Sequence, residues 1–438
     1  MKNLIRIVSL VLLVCCLSGC MQTVDEMYRV PKRSDAYNNL QSSIDSAMTG
    51  LTYCAPRAGE NQQNVQMADL NGDGIQEYLV FAKSTAEHPL RILVFERSGG
   101  EFVNTETVEC NGSAFDQVEY VNMDANPGLE IVVGSQLTNQ VIRSVSVYTF
   151  RDDELIQLIS AQYSKFLTID FNNDNQKELF ILRPGETETD NGVAELYRMK
   201  NGIIERSNEA TMSQPVDRLK RVITGKLDGG AYAVFAASTV GDAALVTDIY
   251  AITDNTLKNI AFSNETGTDV QTLRNFYVYA DDIDNDSVIE LPSLIPMKPM
   301  EEMTATDQHQ LIHWYAMTAD GAEVSKMYTY HTFVGGWYMQ LDSDWAQHLV
   351  VKNTGMQYEF YIWDDGYRTT QKVMTVYALT AQNREEQGFT DNRFVLHKTD
   401  STVYAALLED CAQRYGLTQK SVSYNFRMIE REWKTGET

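Results

Sequence analysis

Disulfides are close to excluded as a source of stability in this chain of 438 residues, because it holds only six cysteines. Cys15 and Cys16 lie in an apolar N-terminal run, and Cys20 ends that run. Cys54, Cys110 and Cys411 are left, an odd and scattered set that makes a poor disulfide framework. A single Cys54–Cys110 bridge stays open at this point. Catalytic signatures are missing too: there is no GxSxG, no Walker loop, no Cys–His signature and no cysteine-rich metal cluster. His309 and His313 lack the glutamate of an HExxH arrangement, and beside Trp314 and Tyr315 they read as strand residues, which argues against zinc. Basic charge is scarce. Thirty-six Lys and Arg stand against sixty Asp and Glu, a formal net charge of −24. That balance disfavours nucleic acid and anionic membrane surfaces as partners and suits a surface that gathers cations. The apolar run that could be taken for a membrane segment, Ile7 to Leu17, is too short to cross a bilayer.

Lys2 and Arg6 flank that run, and Leu17-Ser18-Gly19-Cys20 closes it. This looks like a bacterial lipoprotein signal over residues 1–19, with Cys20 lipidated as the mature N-terminus. An ordinary secretory signal is the other reading, and either one places the mature chain outside the cytoplasm. Lipid on Cys20 would make it membrane-anchored and not membrane-spanning. Loss of Lys2 and Arg6 takes the net charge from −24 to −26. Residues 20–59 are expected to be a polar tether and then a short helix. Ser34 or Asp35 supplies its N-cap, Leu40, Ile44 and Met48 its apolar stripe, and Gly50 its stop.

What the chain does have is a nine-residue acidic loop, four times over. In Asp69-Leu70-Asn71-Gly72-Asp73-Gly74-Ile75-Gln76-Glu77, oxygen side chains fall at positions 1, 3, 5 and 9, and glycines at 4 and 6. A hard cation such as Ca²⁺ takes roughly six to eight oxygens in flexible geometry. Asp69, Asn71, Asp73 and Glu77 are expected to supply them, with the Ile75 carbonyl as a backbone ligand. The pattern recurs as Asn122, Asp124, Asn126, Gly128 and Glu130, then as Asp170, Asn172, Asp174, Gln176 and Glu178. It recurs again as Asp282, Asp284, Asp286, Val288 and Glu290, where position 7 always contributes its carbonyl. A fifth copy is blank. Tyr232 to Ser238 matches Tyr78 to Ser84, which puts Ala231 at the glutamate position and Ile223, Gly225 and Leu227 at ligand positions. The position-9 residues are 77, 130, 178, 231 and 290, a period of 48 to 59 residues that suggests propeller blades or a solenoid.

Each unit reads as four strands. One precedes the loop (Val65–Ala68, Val118–Val121, Phe166–Ile169, Phe276–Tyr279), and one follows it. A third carries aromatics and a fourth comes after a turn pair such as Gly99-Gly100, Asp152-Asp153 or Asn201-Gly202. The loops and their strands resemble FG-GAP (or VCBS) repeats, the family that includes the integrin α-chain propeller. The resemblance covers roughly residues 60 to 330. It implies a β-propeller with Ca²⁺ held between adjacent strands of a blade, and a binding role outside the cell. The second loop departs from the pattern with two asparagines, and the third with no glycine.

The expected architecture is therefore mainly β: a propeller of about five four-stranded blades over residues 60–333, then a small α+β domain over 334–438. In that last part Trp337, Trp345 and Trp363 read as core residues more than as sugar-stacking platforms. Helices are expected at Thr402–Tyr415 and Thr418–Ile429. The function expected is binding, to a protein partner or to a surface or dietary glycan, by a lipid-anchored protein whose Ca²⁺ is structural. Two other classes stay open. Some FG-GAP-like propellers act as polysaccharide lyases, and a hydrolase needs only two carboxylates at the right separation. A purely structural role in envelope assembly is the other.

Overall fold

The computed structural model describes residues 34 to 429, apart from 86, 138–141, 152–153, 188, 243, 276–277, 298–310, 333–334, 347 and 365–368. The signal segment, Cys20, the tether, the Asp152-Asp153 turn and His309 lie outside the described residues.

Helix α1 (Asp35–Ala47) forms where the pattern places it, with the Ser34 side chain accepting the Tyr37 N–H at 3.2 Å. Leu40 and Ile44 are buried against Val80, Ala82, Leu93 and Phe95 of the first sheet. Phe102 donates its N–H to the Asn39 side chain at 2.8 Å, which pins the helix to that sheet.

Four antiparallel sheets follow in chain order. The first holds β1 (Thr52–Tyr53), β2 (Val65–Ala68), β3 (Glu77–Lys83), β4 (Leu90–Ser98) and β5 (Glu101–Cys110). The second holds β6 (Ala114–Val121), β7 (Glu130–Gln136), β8 (Arg143–Arg151) and β9 (Glu154–Tyr163). The third holds β10 (Lys165–Ile169), β11 (Glu178–Arg183), β12 (Val193–Lys200) and β13 (Ile203–Thr211). The fourth holds β14 (Leu219–Lys226), β15 (Tyr232–Val240), β16 (Ala244–Thr253) and β17 (Thr256–Asn259). A small hairpin, β18 (Phe262–Ser263) and β19 (Thr268–Asp269), leads on. The strand after each loop is buried on both faces and so reads as a near-continuous apolar run, as in Tyr78 to Ala82. The fourth strand is an edge with one wet face, and β5 alternates accordingly.

The fifth sheet departs from expectation. It runs β20 (Leu291–Ile295), β21 (Leu311–Met317), β22 (Glu323–Thr332) and β23 (Trp337–Leu341), and closes with β29 (Phe426–Met428) from the end of the chain. Of the strand expected at Phe276–Tyr279, residues 276 and 277 lie outside the described residues, and no strand is formed at Val278 and Tyr279. Val278, Tyr279 and Ala280 are buried there, and only an isolated bridge joins Asp281 to Glu290. The sheet takes its fifth strand from β29 instead. Consequently residues 333 and 334 fall between two paired strands of one sheet, β22 and β23.

The sixth sheet runs β24 (Leu349–Thr354), β25 (Gln357–Asp364), β26 (Thr369–Leu379), β28 (Val403–Leu408) and β27 (Phe394–Lys398). The helix expected at Thr402–Tyr415 is thus mostly the strand β28 and a short 3-10 turn, Ala412–Tyr415. Val403 to Ala406 are all buried, and a short run apolar on every side carries no period that tells a strand from a helix. The second expected helix shrinks to α2 (Gln419–Asn425), capped by Thr418, before the chain extends into β29.

Each sheet shares a core with the next. Phe81 meets Phe115 edge-on at 5.1 Å between the first two, and Phe180 meets Tyr250 at 5.3 Å between the third and fourth. Tyr330 and Trp337 pack on Phe360 and Tyr358 between the fifth and sixth. Among the described residues no core cluster joins the sixth sheet to the first, and no closed barrel is formed. Trp337 and Trp345 are buried, so both are core residues as expected. Cys54, Cys110 and Cys411 are free thiols. The Cys54–Cys110 bridge is not formed, and the Cys110 sulfur instead accepts the Tyr148 hydroxyl.

Candidate metal centre

All four loops share one backbone design, and the glutamate at position 9 is its anchor. Glu77, Glu130, Glu178 and Glu290 are buried at the start of the following strand. In each case Oε2 accepts the N–H of position 2: Leu70 at 2.7 Å, Met123 at 2.8 Å, Phe171 at 3.0 Å and Ile283 at 3.0 Å. One carboxylate oxygen is therefore committed to the loop's own backbone, and only Oε1 is left for anything else. The spacing alone does not show this division.

Position 1 holds the turn. Asp69 accepts the N–H groups of Gly72 and Gly74, Asp170 those of Asp174 and Asn175, and Asp282 those of Asp286 and Ser287. Positions 4 and 6 take left-handed backbone in three loops. Gly72 and Gly74 do so in the first, Asn173 and Asn175 in the third, and Asn285 and Ser287, at φ +64° and +72°, in the fourth. Asparagine tolerates that region nearly as glycine does, so the third loop turns without glycine. The second loop differs. The Asn122 amide donates to the Asn126 carbonyl and, at 3.5 Å, to the carbonyl of Gly128, which engages the expected backbone ligand.

The remaining oxygen, Oε1, distinguishes the loops. Glu130 Oε1 accepts from Thr149 at 3.1 Å, and Glu178 Oε1 lies 3.3 Å from Nε of Arg198. Glu290 Oε1 is buried and has no hydrogen-bond partner among the described residues. Here the ligand atoms of Asp282, Asp284 and Glu290 lie within 4.8 Å of one another. Oxygens on opposite sides of one Ca²⁺ are about 5 Å apart, so this spread suits a single ion. Among the described residues it is the one group of three carboxylates gathered so tightly; Asp69, Asp73 and Glu77 of the first loop are not.

Electrostatics point the same way. Burial, with Asp284, Asp286 and Asp282 adding their charge, pushes Glu290 up to about 8 against the bond from Ile283. Burial also raises Glu77 to about 7, with Asp73, Glu96 and Asp69 adding to it. A carboxylate that ionises so reluctantly lacks a compensating positive charge. Lys326 does not supply one directly, since its ammonium is held by Asp228 at 2.6 Å. A cation bound by Asp282, Asp284, Asp286, Glu290 and the Val288 carbonyl would supply it. The blank repeat is a tight turn through Gly229 and Gly230 with Ala231 in place of the glutamate, and it offers no such site.

The loops also touch each other, which no spacing reveals. Leu129 donates its N–H to the Asp69 carbonyl at 3.1 Å, and Lys177 to the Asn122 carbonyl at 2.7 Å. Ile289 donates its N–H to the Lys226 carbonyl and Lys226 donates its own to the Ser287 carbonyl, both at 2.9 Å, which ties the fourth loop to the fourth sheet. Beside the fourth loop is a cleft of about 300 Å³. Asp281, Asp282 and Asp284 line it together with Tyr338 and Gln340 of β23, Tyr424 of α2 and Arg427 of β29.

No family model and no curated protein matches this chain. Solved structures are similar at a low level. An exotype rhamnogalacturonan lyase, YesX, shares 10% identity at a TM-score of 0.26, over 88% of this chain and 81% of that one. A rhamnogalacturonan lyase from Bacillus licheniformis shares 11% at 0.26, over 88% and 80%. Sqt1 from Chaetomium thermophilum shares 10% at 0.31, over 81% and 97%. Similarity this low carries no argument about what the chain does.

Proposed function

We propose that this protein is a Ca²⁺-stabilised binding protein, held outside the cytoplasm by lipid on Cys20, that takes a glycan in the cleft beside the fourth loop. Its consecutive four-stranded meanders, each sharing a core with the next, are read as FG-GAP-like propeller blades. The observation that carries the proposal is Glu290: a fully buried carboxylate, one oxygen unpartnered, facing Asp282 and Asp284. The ligand class follows from the cleft walls. Carboxylates accept sugar hydroxyls, the Arg427 guanidinium donates to ring or hydroxyl oxygens, and the Tyr424 ring, 69% exposed with Arg427 over one side at 5.1 Å, offers its other face to a sugar ring. Even with Ca²⁺ bound the loop carboxylates leave net negative charge, which favours a neutral polyhydroxylated ligand over an anionic one.

Calorimetric titration of EDTA-stripped protein with Ca²⁺, paired with melting curves, tests the metal half. Wild type gains about 3 kcal/mol at a hundredfold excess of ligand over Kd. Glu290→Gln loses one equivalent of Ca²⁺ and most of that gain, yet melts no lower than wild type in EDTA, because glutamine can keep the Ile283 bond and leaves no buried charge to form. Unchanged stoichiometry in Glu290→Gln eliminates the fourth loop as the centre. A glycan panel tests the other half: binding in Ca²⁺ that falls at least tenfold in Tyr424→Ala, with Ca²⁺ stoichiometry intact, supports the cleft. Capture of a protein and no glycan would turn the reading to a protein partner.

A further inference from the structure

Strand register sets one residue of the neighbouring strand across from each loop glutamate. β3 and β4 pair Tyr78 with Phe95, so the next position sets Glu77 against Glu96. β7 and β8 pair Ile131 with Tyr148, which sets Glu130 against Thr149. β11 and β12 pair Leu179 with Tyr197, which sets Glu178 against Arg198. β20 and β21 pair Leu291 with Tyr315, which sets Glu290 against Ala316. The residue across from each loop glutamate thus carries a carboxylate in the first loop, a hydroxyl that bonds the free oxygen in the second, a guanidinium 3.3 Å from it in the third and only a methyl group in the fourth. The blank repeat obeys the same geometry. Ala233 pairs with Ala251, so Ala231 stands across from Thr253, and the buried Thr253 hydroxyl has no partner among the described residues. The group it lacks is the glutamate that its counterpart Thr149 bonds.

We infer that in the third loop Arg198 stands in for the metal: its guanidinium pairs with Glu178, and this loop holds no Ca²⁺ while Arg198 is present. The arrangement is built from both sides. Arg198 Nε lies 3.3 Å from Glu178 Oε1, with the two side chains only 22% and 7% exposed. Its Nη1 donates to Asn255 Oδ1 at 3.0 Å, on the turn between β16 and β17 of the next sheet. The guanidinium is therefore hydrogen-bonded on the Asn255 side, lies in ion-pair range without a hydrogen bond on the Glu178 side, and sits where a cation would reach the one glutamate oxygen not used by the backbone. A divalent ion added there would lie against a fixed positive charge in a half-buried site, where repulsion is weakly screened. The rest of the ligand set is turned inward as well, since the Asn172 amide donates to Asp174 Oδ2 at 2.8 Å. The third loop keeps the spacing of a Ca²⁺ site and replaces the ion with a cross-strand ion pair. Position 9 and its cross-strand neighbour, read together, decide which copies of the loop take metal.

The contrast with the fourth loop rests on the proposed function, and the test separates the two. Ca²⁺ stoichiometry is measured calorimetrically on EDTA-stripped wild type, Glu178→Gln, Arg198→Met and Arg198→Met/Glu178→Gln, with melting curves in Ca²⁺ and in EDTA. Expected is the same stoichiometry for wild type and Glu178→Gln, one further equivalent in Arg198→Met, and loss of that equivalent in the double variant. Arg198→Met also melts lower than wild type in EDTA and recovers in Ca²⁺. An equivalent lost from Glu178→Gln alone overturns the inference, as does a folded Arg198→Met that gains none. If Arg198→Met does not fold, Glu178→Gln in the native Arg198 background still decides. If wild type binds no Ca²⁺ and Arg198→Met binds one equivalent, the fourth-loop reading fails and this inference stands.

Discussion

Single carboxylates in this protein have opposite roles according to what buries with them. Glu195 is buried among Arg183, Arg206 and Tyr197, and although burial alone would raise it, bonds from those three hold it below its usual range. Asp269 takes its bonds from neutral groups, with the buried Arg274 near but bonded elsewhere. It accepts from Thr272 and Gln271, but burial and the nearby Asp248 push it up to about 6. Asp248 in turn is wholly buried and bonded by Ser213 and Asn259, with Arg274 bonded to Thr247 and the Val278 carbonyl close by. A raised acid favours folding while it is protonated. Its contribution is complete below the unfolded value near 4 and is lost as pH rises through about 6. Asp269→Asn does not titrate. The margin of wild type over Asp269→Asn in thermal melts, measured in EDTA, therefore shrinks between pH 4 and pH 7; a margin that grows across that range would reverse the sign of the shift. The spacing marked the glutamates of the loops as candidate ligands. Their second task, holding the position-2 N–H, was not, because spacing says which side chains converge and nothing about which oxygen the backbone takes.

At the scale of the element, the repeated unit is a loop held by its neighbours as well as by itself. A β-bulge recurs beside the aromatic of the third strand: between Val94 and Phe95, Val147 and Tyr148, Leu196 and Tyr197, and Trp314 and Tyr315. It lies just before the residue that faces the loop glutamate, and a bulge re-aims the side chains next to it. Nothing in the alternation of these strands announces it. Contact between loops is as tight. A Cβ on Gly128 would run into the Leu70 carbonyl of the preceding loop, although Gly128 has no left-handed backbone. Gly74 is the converse, with φ +84° and nothing near its missing Cβ. Gly128→Ala is expected to cost about 1–3 kcal/mol or more through displacement of two loops, and to weaken Ca²⁺ stabilisation of both. Gly74→Ala is expected to cost about 1–2 kcal/mol from backbone strain alone. Urea unfolding of the two variants with and without Ca²⁺ checks this, and a Ca²⁺-independent loss in Gly128→Ala would mean the contact does not shape the sites.

For the molecule as a whole, the joint between the fifth and sixth sheets matters most, because the end of the chain is woven into it. Phe426 of β29 lies against Trp337 at 5.1 Å and Tyr404 at 5.5 Å, ring centre to ring centre. Tyr404 in turn donates to the Gly335 carbonyl at 2.7 Å. The C-terminal aromatics that read as a small separate core are the shared core of two sheets, and the cleft beside the fourth loop is lined by the same strand, through Arg427 and Met428. Phe426→Ala is expected to lower stability by about 3–5 kcal/mol. It should do so without splitting the last sheet from its neighbour, so a single unfolding transition moves as one. A low-temperature shoulder in calorimetry would mean that the sixth sheet melts by itself.

By itself the sequence determined most of the local units of the first four sheets: which runs are strands, where most hairpins turn, that a nine-residue acidic loop recurs, and that one copy is blank; it read β28 as a helix. Each of these depends on residues a few positions apart, where backbone geometry leaves few choices. The tertiary structure decided what lies across from each loop. Arg198 or Ala316, Thr149 or Glu96, sits some twenty residues from its glutamate in the chain, brought there by register and bulge. It also decided that β29 returns to finish the fifth sheet, since an edge strand of three residues carries too little pattern to name its partner. Burial removes water from these contacts, and without water the identity of one facing side chain outweighs the spacing that repeats in every copy.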